Sequence, residues 1–346
     1  GVTDHHQNSQ PRSMQRIAGT DVWQWTTQLN ANWRGSYCFI PTERDDIFSA
    51  PSPDRLELRE GWRKLLPQAI ADPLNPQSWK GGRGHAVSAL EMPQASLQPG
   101  WDCPQAPETP AKEIIWKSER LKNSRRVWIF TTGDATAEER PLAVLLDGEF
   151  WAQSMPVWPA LTSLTHRRQL PPAVYVLIDA IDTTHRAHEL PCNADFWLAV
   201  QQELLPQVKA IAPFSDRADR TVVAGQSFGG LSALYAGLHW PERFGCVLSQ
   251  SGSYWWPHRG GHQEGMLLEQ LNTGEVSAEG LRIVLEAGVR EPMIMQANQA
   301  LYAQLHPLKE SIFWRQVDGG HDALCWRGGL MQGLIDLWQP LFHDRS

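Results

Sequence analysis

Arg220-Thr-Val-Val-Ala-Gly-Gln-Ser-Phe-Gly-Gly-Leu-Ser-Ala-Leu-Tyr-Ala-Gly-Leu-His239 joins a short apolar run, Thr221 to Ala224, to a small-residue helical run, Leu231 to Leu238. Between them lies Gly225-Gln226-Ser227-Phe228-Gly229, a G-x-S-x-G pattern. A serine held on a sharp, strained turn between strand and helix needs small neighbours, because the backbone folds back close to itself there. Such a turn lifts the hydroxyl above the carboxyl edge of a sheet. It also aims the next backbone N–H, that of Phe228, at the same point. The bare pattern is common by chance. With an apolar strand before it and a helix after it, the pattern marks Ser227 as a nucleophile rather than a bystander in a glycine-rich turn.

The chain has 346 residues, enough for two domains. Its apolar fraction of 42% is sufficient for real cores. It carries 31 Lys and Arg against 38 Asp and Glu, a net charge of −7, and no basic run exceeds two residues. That balance argues against a binder of nucleic acid. No apolar stretch reaches the ~18 residues of a membrane span. The unusual count is 17 Trp against 5 Tyr. Indoles fill cores, and they also make flat surfaces for ring-bearing or sugar ligands. The five cysteines, Cys38, Cys103, Cys192, Cys246 and Cys325, are scattered and form no C-x-x-C. This favours reduced thiols in a cytoplasmic protein over a disulfide framework or a zinc site. No secretory signal is legible in the opening residues.

Two kinds of pattern divide the chain near residue 110. Before it, Asp21–Thr27 and Trp33–Ile40 alternate as strands do, Asp72-Pro-Leu-Asn-Pro76 is a turn cluster, and Ala86–Met92 is a further strand. Residues 93–111 carry five prolines and read as a linker. An all-β domain over 1–110 is expected, although a sandwich of about seven strands would need more than are visible. From 111 to 346 strands alternate with helices. Lys112–Leu121 and Arg125–Thr131 form an antiparallel pair. Strands follow at Pro141–Leu146, Ala173–Asp179, Thr221–Ala224, Phe244–Ser251, Leu281–Ala287 and Ile312–Val317. Helices fall at Val157–Leu164, Phe196–Ala210, Met293–Leu305 and Gly329–Leu341. This predicts an α/β fold with a mostly parallel, doubly wound sheet, whose ligands bind beyond the carboxyl ends of the strands.

A serine hydroxyl needs a base. On this kind of turn the partners follow in the order serine, acid, histidine. Of the histidines after Ser227, only His321 lies on a loop just after the last strand, in Val317-Asp-Gly-Gly-His-Asp322. His239 ends the nucleophile helix and His343 sits in the tail. The acid belongs after the preceding strand, where Glu286 and Glu291 are candidates. Glu291 lies on the loop itself and is preferred; Asp318 and Asp322 stay open. The second oxyanion donor belongs to the loop Leu146-Asp-Gly-Glu-Phe-Trp151, where Gly148 allows close approach and the Glu149 N–H is the choice. His185-Arg-Ala-His-Glu189 departs from metal motifs and reads as a polar loop, with Arg186 placed to meet a substrate anion. Gly81-Gly-Arg-Gly84 lacks the Lys-Ser/Thr of a phosphate loop.

Ser118–Phe130, Leu145-Leu-Asp-Gly148, Arg186–Leu190, Gly225–Gly230 and Gly319-Gly-His-Asp322 with Trp326 together resemble the esterase family that includes feruloyl esterases, mycolyltransferases and siderophore esterases. The similarity covers residues 112–346. In that family the acid sits in a G-x-x-[DE] turn, which matches Gly288-Val-Arg-Glu291 and raises Glu291 above Glu286. The Trp-rich start, Trp33–Pro41 and Asp72–Pro76 resemble the front domain of enterochelin (enterobactin) esterases. The resemblance implies an α/β-hydrolase fold preceded by a smaller all-β, immunoglobulin-like sandwich. It further implies a cytoplasmic serine esterase that cleaves the trilactone of ferric enterobactin, with no cofactor because the iron arrives on the substrate. Arg186, Asp147 and Trp326 are then the expected substrate contacts. Guanidinium and indole groups suit anionic catecholate rings through charge and stacking. Two rivals stand beside this reading: a feruloyl or acetyl esterase with a carbohydrate-binding front domain, and a non-catalytic siderophore-binding protein.

Overall fold

From Lys112 onward eight strands alternate with helices, as the change of hydrophobic period at that point predicts. The computed structural model describes residues 14–43, 55–80, 85–134, 140–258, 264–308 and 310–342. The chain divides into two compact units. One comprises Gly1–Ser96 together with Val289–Glu291 and Asp318–Cys325; the other comprises Leu97–Gly288, Pro292–Val317 and Trp326–Ser346. The continuous part of the first unit ends inside the proline-rich stretch. Gly81–Gly84, His262 and His343 lie outside the described residues.

In the first unit, β1 (Gln15–Arg16) pairs antiparallel with β2 (Trp23–Gln24). A second antiparallel sheet has the order β3 (Arg34–Tyr37), β5 (Ala86–Glu91), β4 (Ser78–Lys80). Asp72–Pro76 is a double turn, in which Asp72 Oδ1 accepts the Leu74 N–H and Asn75 Oδ1 accepts the Gln77 N–H. This small β domain also carries a helix that the alternation passes over, α1 (Arg55–Leu65). Trp62 and Leu65, three residues apart in its last turn, are buried, and Leu66 follows them in a short 3-10 turn.

The second unit is built on one sheet. Its strands are β6 (Lys112–Ser118), β7 (Asn123–Thr131), β8 (Leu142–Leu145), β9 (Val174–Ile178), β10 (Thr221–Gln226), β11 (Cys246–Gln250), β12 (Arg282–Gly288) and β13 (Ile312–Val317). Their spatial order is β6-β7-β9-β8-β10-β11-β12-β13. β7 is antiparallel to both its neighbours, and all the other pairs are parallel. The central strands β8, β9, β10 and β11 are buried throughout, which is why they read as unbroken apolar runs rather than alternations. The helices are α2 (Trp158–His166), α3 (Thr183–Glu189), α4 (Ala194–Ala199), α5 (Leu205–Ile211), α6 (Phe228–His239), α7 (Met266–Thr273), α8 (Pro292–Leu305) and α9 (Ala323–Trp338). Among the described residues no helix is long and apolar enough to cross a membrane.

Helix α3 corrects one reading. Residues 185–189 are helical, not a loop, because Asp182 caps the helix by accepting the His185 N–H. Its far end is pinned by a buried ion pair. Arg125 Nη2 donates to Glu189 Oε2 at 2.7 Å, with the two side chains 1% and 5% exposed. Breaking such a pair from one side costs about 3–5 kcal/mol, because the remaining charge stays buried.

Candidate active site

Ser227 leaves β10 at φ 60°, ψ −120°, in a region that L-residues rarely occupy. Hydrogen bonds on both sides hold it there. Its N–H donates to Gln250 O at 3.0 Å, and its carbonyl accepts from Leu231 N–H at 3.1 Å and Ser253 N–H at 3.2 Å. The two motif glycines differ. A Cβ on Gly225 would lie 2.3 Å from Gly229 O, so that glycine is obligatory. A Cβ on Gly229 would find nothing nearer than 3.6 Å. Ser253, which the motif does not reveal, places its hydroxyl oxygen 3.4 Å from that of Ser227.

Phe228 opens α6, so its N–H is one of the free amides of a helix start. After β8 comes Asp147, with φ 51°, then Gly148, where a Cβ would meet the Ile178 nitrogen at 2.5 Å. Glu149 follows at the head of a short π-turn. Its side chain has a structural task, accepting the Ala180 N–H at 2.9 Å. Burial pushes the Glu149 carboxyl up to about 7, the nearby Asp147 carboxylate adds to the rise, and the N–H groups of Ala180 and Glu149 itself oppose it. Asp147 holds Arg186 through a two-pronged pair, Nε to Oδ1 at 2.6 Å and Nη2 to Oδ2 at 2.8 Å. Arg186 also donates to Gln226 O at 3.2 Å, and its guanidinium lies over the Phe228 ring at 5.8 Å. The Trp255 ring lies 6.0 Å from that of Phe228, tilted by 50°. Arg186 is thus tied to the serine turn, with its side chain 25% exposed.

Trp326 is half-buried and fixed at both ends. Its indole N–H donates to Ser251 Oγ at 3.0 Å, and its carbonyl accepts from Gln250 Nε2 at 2.8 Å. Trp151, by contrast, is core, 1% exposed, and donates to Gln226. Trp158 packs on Phe130 at 4.9 Å. Glu286, the alternative acid, is 1% exposed, lies against Gly329 of α9 and forms an ion pair with Arg315 Nε at 2.9 Å.

In the first unit the loops after β12 and β13 are joined to each other. Arg290 N–H donates to Gly319 O, and Arg290 Nε reaches Asp318 Oδ1 at 2.9 Å. Asn30 also donates to Asp318, at 2.7 Å. Asp322 accepts from Ser36 and Leu324. With these contacts made, His321 Nδ1 lies 2.5 Å from Glu291 Oε1. A carboxylate can only accept, so Nδ1 carries the proton and Nε2 is left as the basic nitrogen. Asp318 and Asp322, left open as acids by the sequence, are engaged in holding the loop. Ser227 belongs to the larger unit and the Glu291–His321 pair to the smaller.

Strand order, parallel direction and a serine on a strained turn after β10 define an α/β-hydrolase of the esterase class. The chain belongs to the enterochelin (enterobactin) esterase family. Residues 1–101 match the family described as "Enterochelin esterase, N-terminal", and residues 118–337 match "Putative esterase". It is 95% identical over 346 residues to the iron(III) enterobactin esterase of Escherichia coli (strain K12), covering all of this chain and 86% of that protein. It is similar to the crystal structure of the enterobactin esterase from Shigella flexneri in the presence of enterobactin, with a TM-score of 0.92 and 93% identity over 97% of this chain and 86% of that one. The ferric enterobactin esterase from Salmonella typhimurium superposes with a TM-score of 0.95 at 76% identity, over 98% of this chain and 87% of that one.

Proposed function

We propose that this chain is a serine esterase that hydrolyses the trilactone of ferric enterobactin, with Ser227, His321 and Glu291 as its catalytic residues. The observation that carries the reading is the strained serine turn in a chain 95% identical to an iron(III) enterobactin esterase. Ser227 Oγ attacks a lactone carbonyl, and His321 Nε2 takes its proton. Glu291 fixes the ring through Nδ1 and balances the imidazolium that forms. The N–H groups of Phe228 and Glu149 stabilise the oxyanion. Collapse breaks the ester C–O bond, and His321 protonates the departing seryl oxygen. Water, deprotonated by His321, then attacks the acyl-enzyme, releases the carboxylate and restores the Ser227 hydroxyl.

Arg186, held at its angle by Asp147, and the immobilised ring of Trp326 supply charge and a flat face to the catecholates. The iron is cargo on the substrate, and no cofactor enters the scheme. The five cysteines, none of them in a disulfide, support a cytoplasmic setting for the reaction. The test is hydrolysis of ferric enterobactin by the wild-type chain and by Ser227→Ala. Turnover is expected to vanish in the variant while substrate binding persists; undiminished hydrolysis would refute the assignment.

A further inference from the structure

Four consecutive parallel strands carry a polar side chain at or near their carboxyl ends, each directly opposite the next: Gln226 with Gln250, Gln250 with Glu286, and Glu286 with Arg315. The side chains link into one row. Trp151 Nε1–H donates to Gln226 Oε1 at 3.0 Å, Gln226 Nε2 to Gln250 Oε1 at 2.9 Å and Gln250 Nε2 to Glu286 Oε1 at 2.8 Å, and the row closes on an ion pair, Arg315 Nε lying 2.9 Å from Glu286 Oε2. The three central residues are 3%, 0% and 1% exposed.

The row has a single direction. The indole at one end can only donate, and the carboxylate at the other can only accept. Neither amide between them can flip without setting two donors or two acceptors face to face. Gln250 is the hub. Its amide also donates to Trp326 O at 2.8 Å, and its own backbone carbonyl receives the Ser227 N–H at 3.0 Å. The Glu286 carbonyl receives the N–H of Ser251, which has φ 48°. A buried polar row costs desolvation that apolar side chains at the same positions would avoid. This row lies where two strained serines, Ser227 and Ser251, leave their strands.

We infer that Gln226, Gln250 and Glu286 are positioning residues for Ser227. They clamp the residue before the serine and the residue that receives its N–H, so the turn cannot relax out of its strained conformation. The inference rests on the reading of Ser227 as nucleophile.

The test is a double-mutant cycle with Gln226→Met and Glu286→Met. It reads kcat and KM on ferric enterobactin and, separately, the rate at which a serine-directed phosphonate labels Ser227. Each single variant is expected to lose about tenfold in kcat and in labelling rate with KM unchanged. The double variant is also expected to lose about tenfold, because Gln250 is released once either neighbour is gone. Glu286→Gln still accepts from Gln250 and should stay within about threefold of wild type. Positions 226 and 286 are two strands apart, roughly 10 Å, so independent packing effects would multiply to about a hundredfold. A multiplicative double loss, a loss confined to KM, or a Glu286→Gln variant as impaired as Glu286→Met overturns the inference. If Glu286→Met does not fold, the double change Glu286→Met with Arg315→Met, which removes both charges together, takes its place in the cycle. A wild-type protein that is labelled at Ser227 yet leaves ferric enterobactin intact overturns the substrate assignment alone, and the labelling rates still decide the role of the row.

Discussion

One oxygen of Asp322 accepts twice from Ser36: Oδ2 lies 2.5 Å from the Ser36 nitrogen and 2.7 Å from its hydroxyl. Asp322 is the neighbour of His321, and Ser36 is in β3 of the front domain. The loop that presents the imidazole is therefore held from the amino-terminal part of the chain.

Asp322→Asn replaces one of two accepting oxygens, Oδ2 facing Ser36 or Oδ1 facing the Leu324 N–H, by an NH2 group that cannot accept. The variant should lose about tenfold in kcat, and Ser36→Ala, which keeps the backbone donor, about threefold. Steady-state kinetics on ferric enterobactin with a parallel melting curve checks this. Unchanged kcat in Asp322→Asn would show that the contact does not help hold the base.

Glu291→Gln keeps the shape of the acid but removes its charge, and the amide can set the wrong imidazole tautomer. A fall in kcat on the order of 10⁴ is expected, the scale seen when a triad carboxylate becomes an amide. Retention of more than about a tenth of wild-type kcat would assign the acid's role elsewhere.

The two glycines of the motif should not be equivalent. Gly225→Ala forces a Cβ to 2.3 Å from backbone and is expected to abolish activity and lower soluble yield. Gly229→Ala makes only ordinary contacts and should retain most activity. Equal effects of the two changes, read by expression and by phosphonate labelling, would contradict the packing argument.

Glu149 gives the stability a definite dependence on pH. Its folded value, about 7, exceeds its ordinary 4.5, so between these values the folded chain binds a proton that the unfolded chain has released. The contribution of Glu149 to stability must then fall as pH rises through that window, by at most about 1.4 kcal/mol per unit, and level off above it. In Glu149→Gln that part of the slope disappears. Calorimetric melting between about pH 5 and about pH 8 checks it, and parallel curves for the two proteins would rule it out.

The strand–turn–helix around Ser227 and the parallel sheet were legible because buried strands leave unbroken apolar runs and a strained turn leaves glycines. Asp72–Pro76 announced its turn through residues that bond their own backbone. Helix α3 went unread because its cap, Asp182, is a single residue before a polar, short helix with little periodicity. Helix α1 went unread because six of its eleven residues are charged and a glycine, Gly61, falls inside it. The engagement of Asp318 and Asp322 with Arg290, Asn30 and Ser36 joins residues far apart in sequence, which no local pattern encodes. The glutamine row left a faint trace: polar residues closing strands that are otherwise apolar.

Val289–Glu291 and Asp318–Cys325 cluster with Gly1–Ser96 although the chain visits them nearly two hundred residues later. No single cut through the polypeptide releases either compact unit whole. Transplanting the front piece onto another hydrolase would leave two of its three segments behind, so an exchange that respects this architecture has to splice at five junctions rather than one.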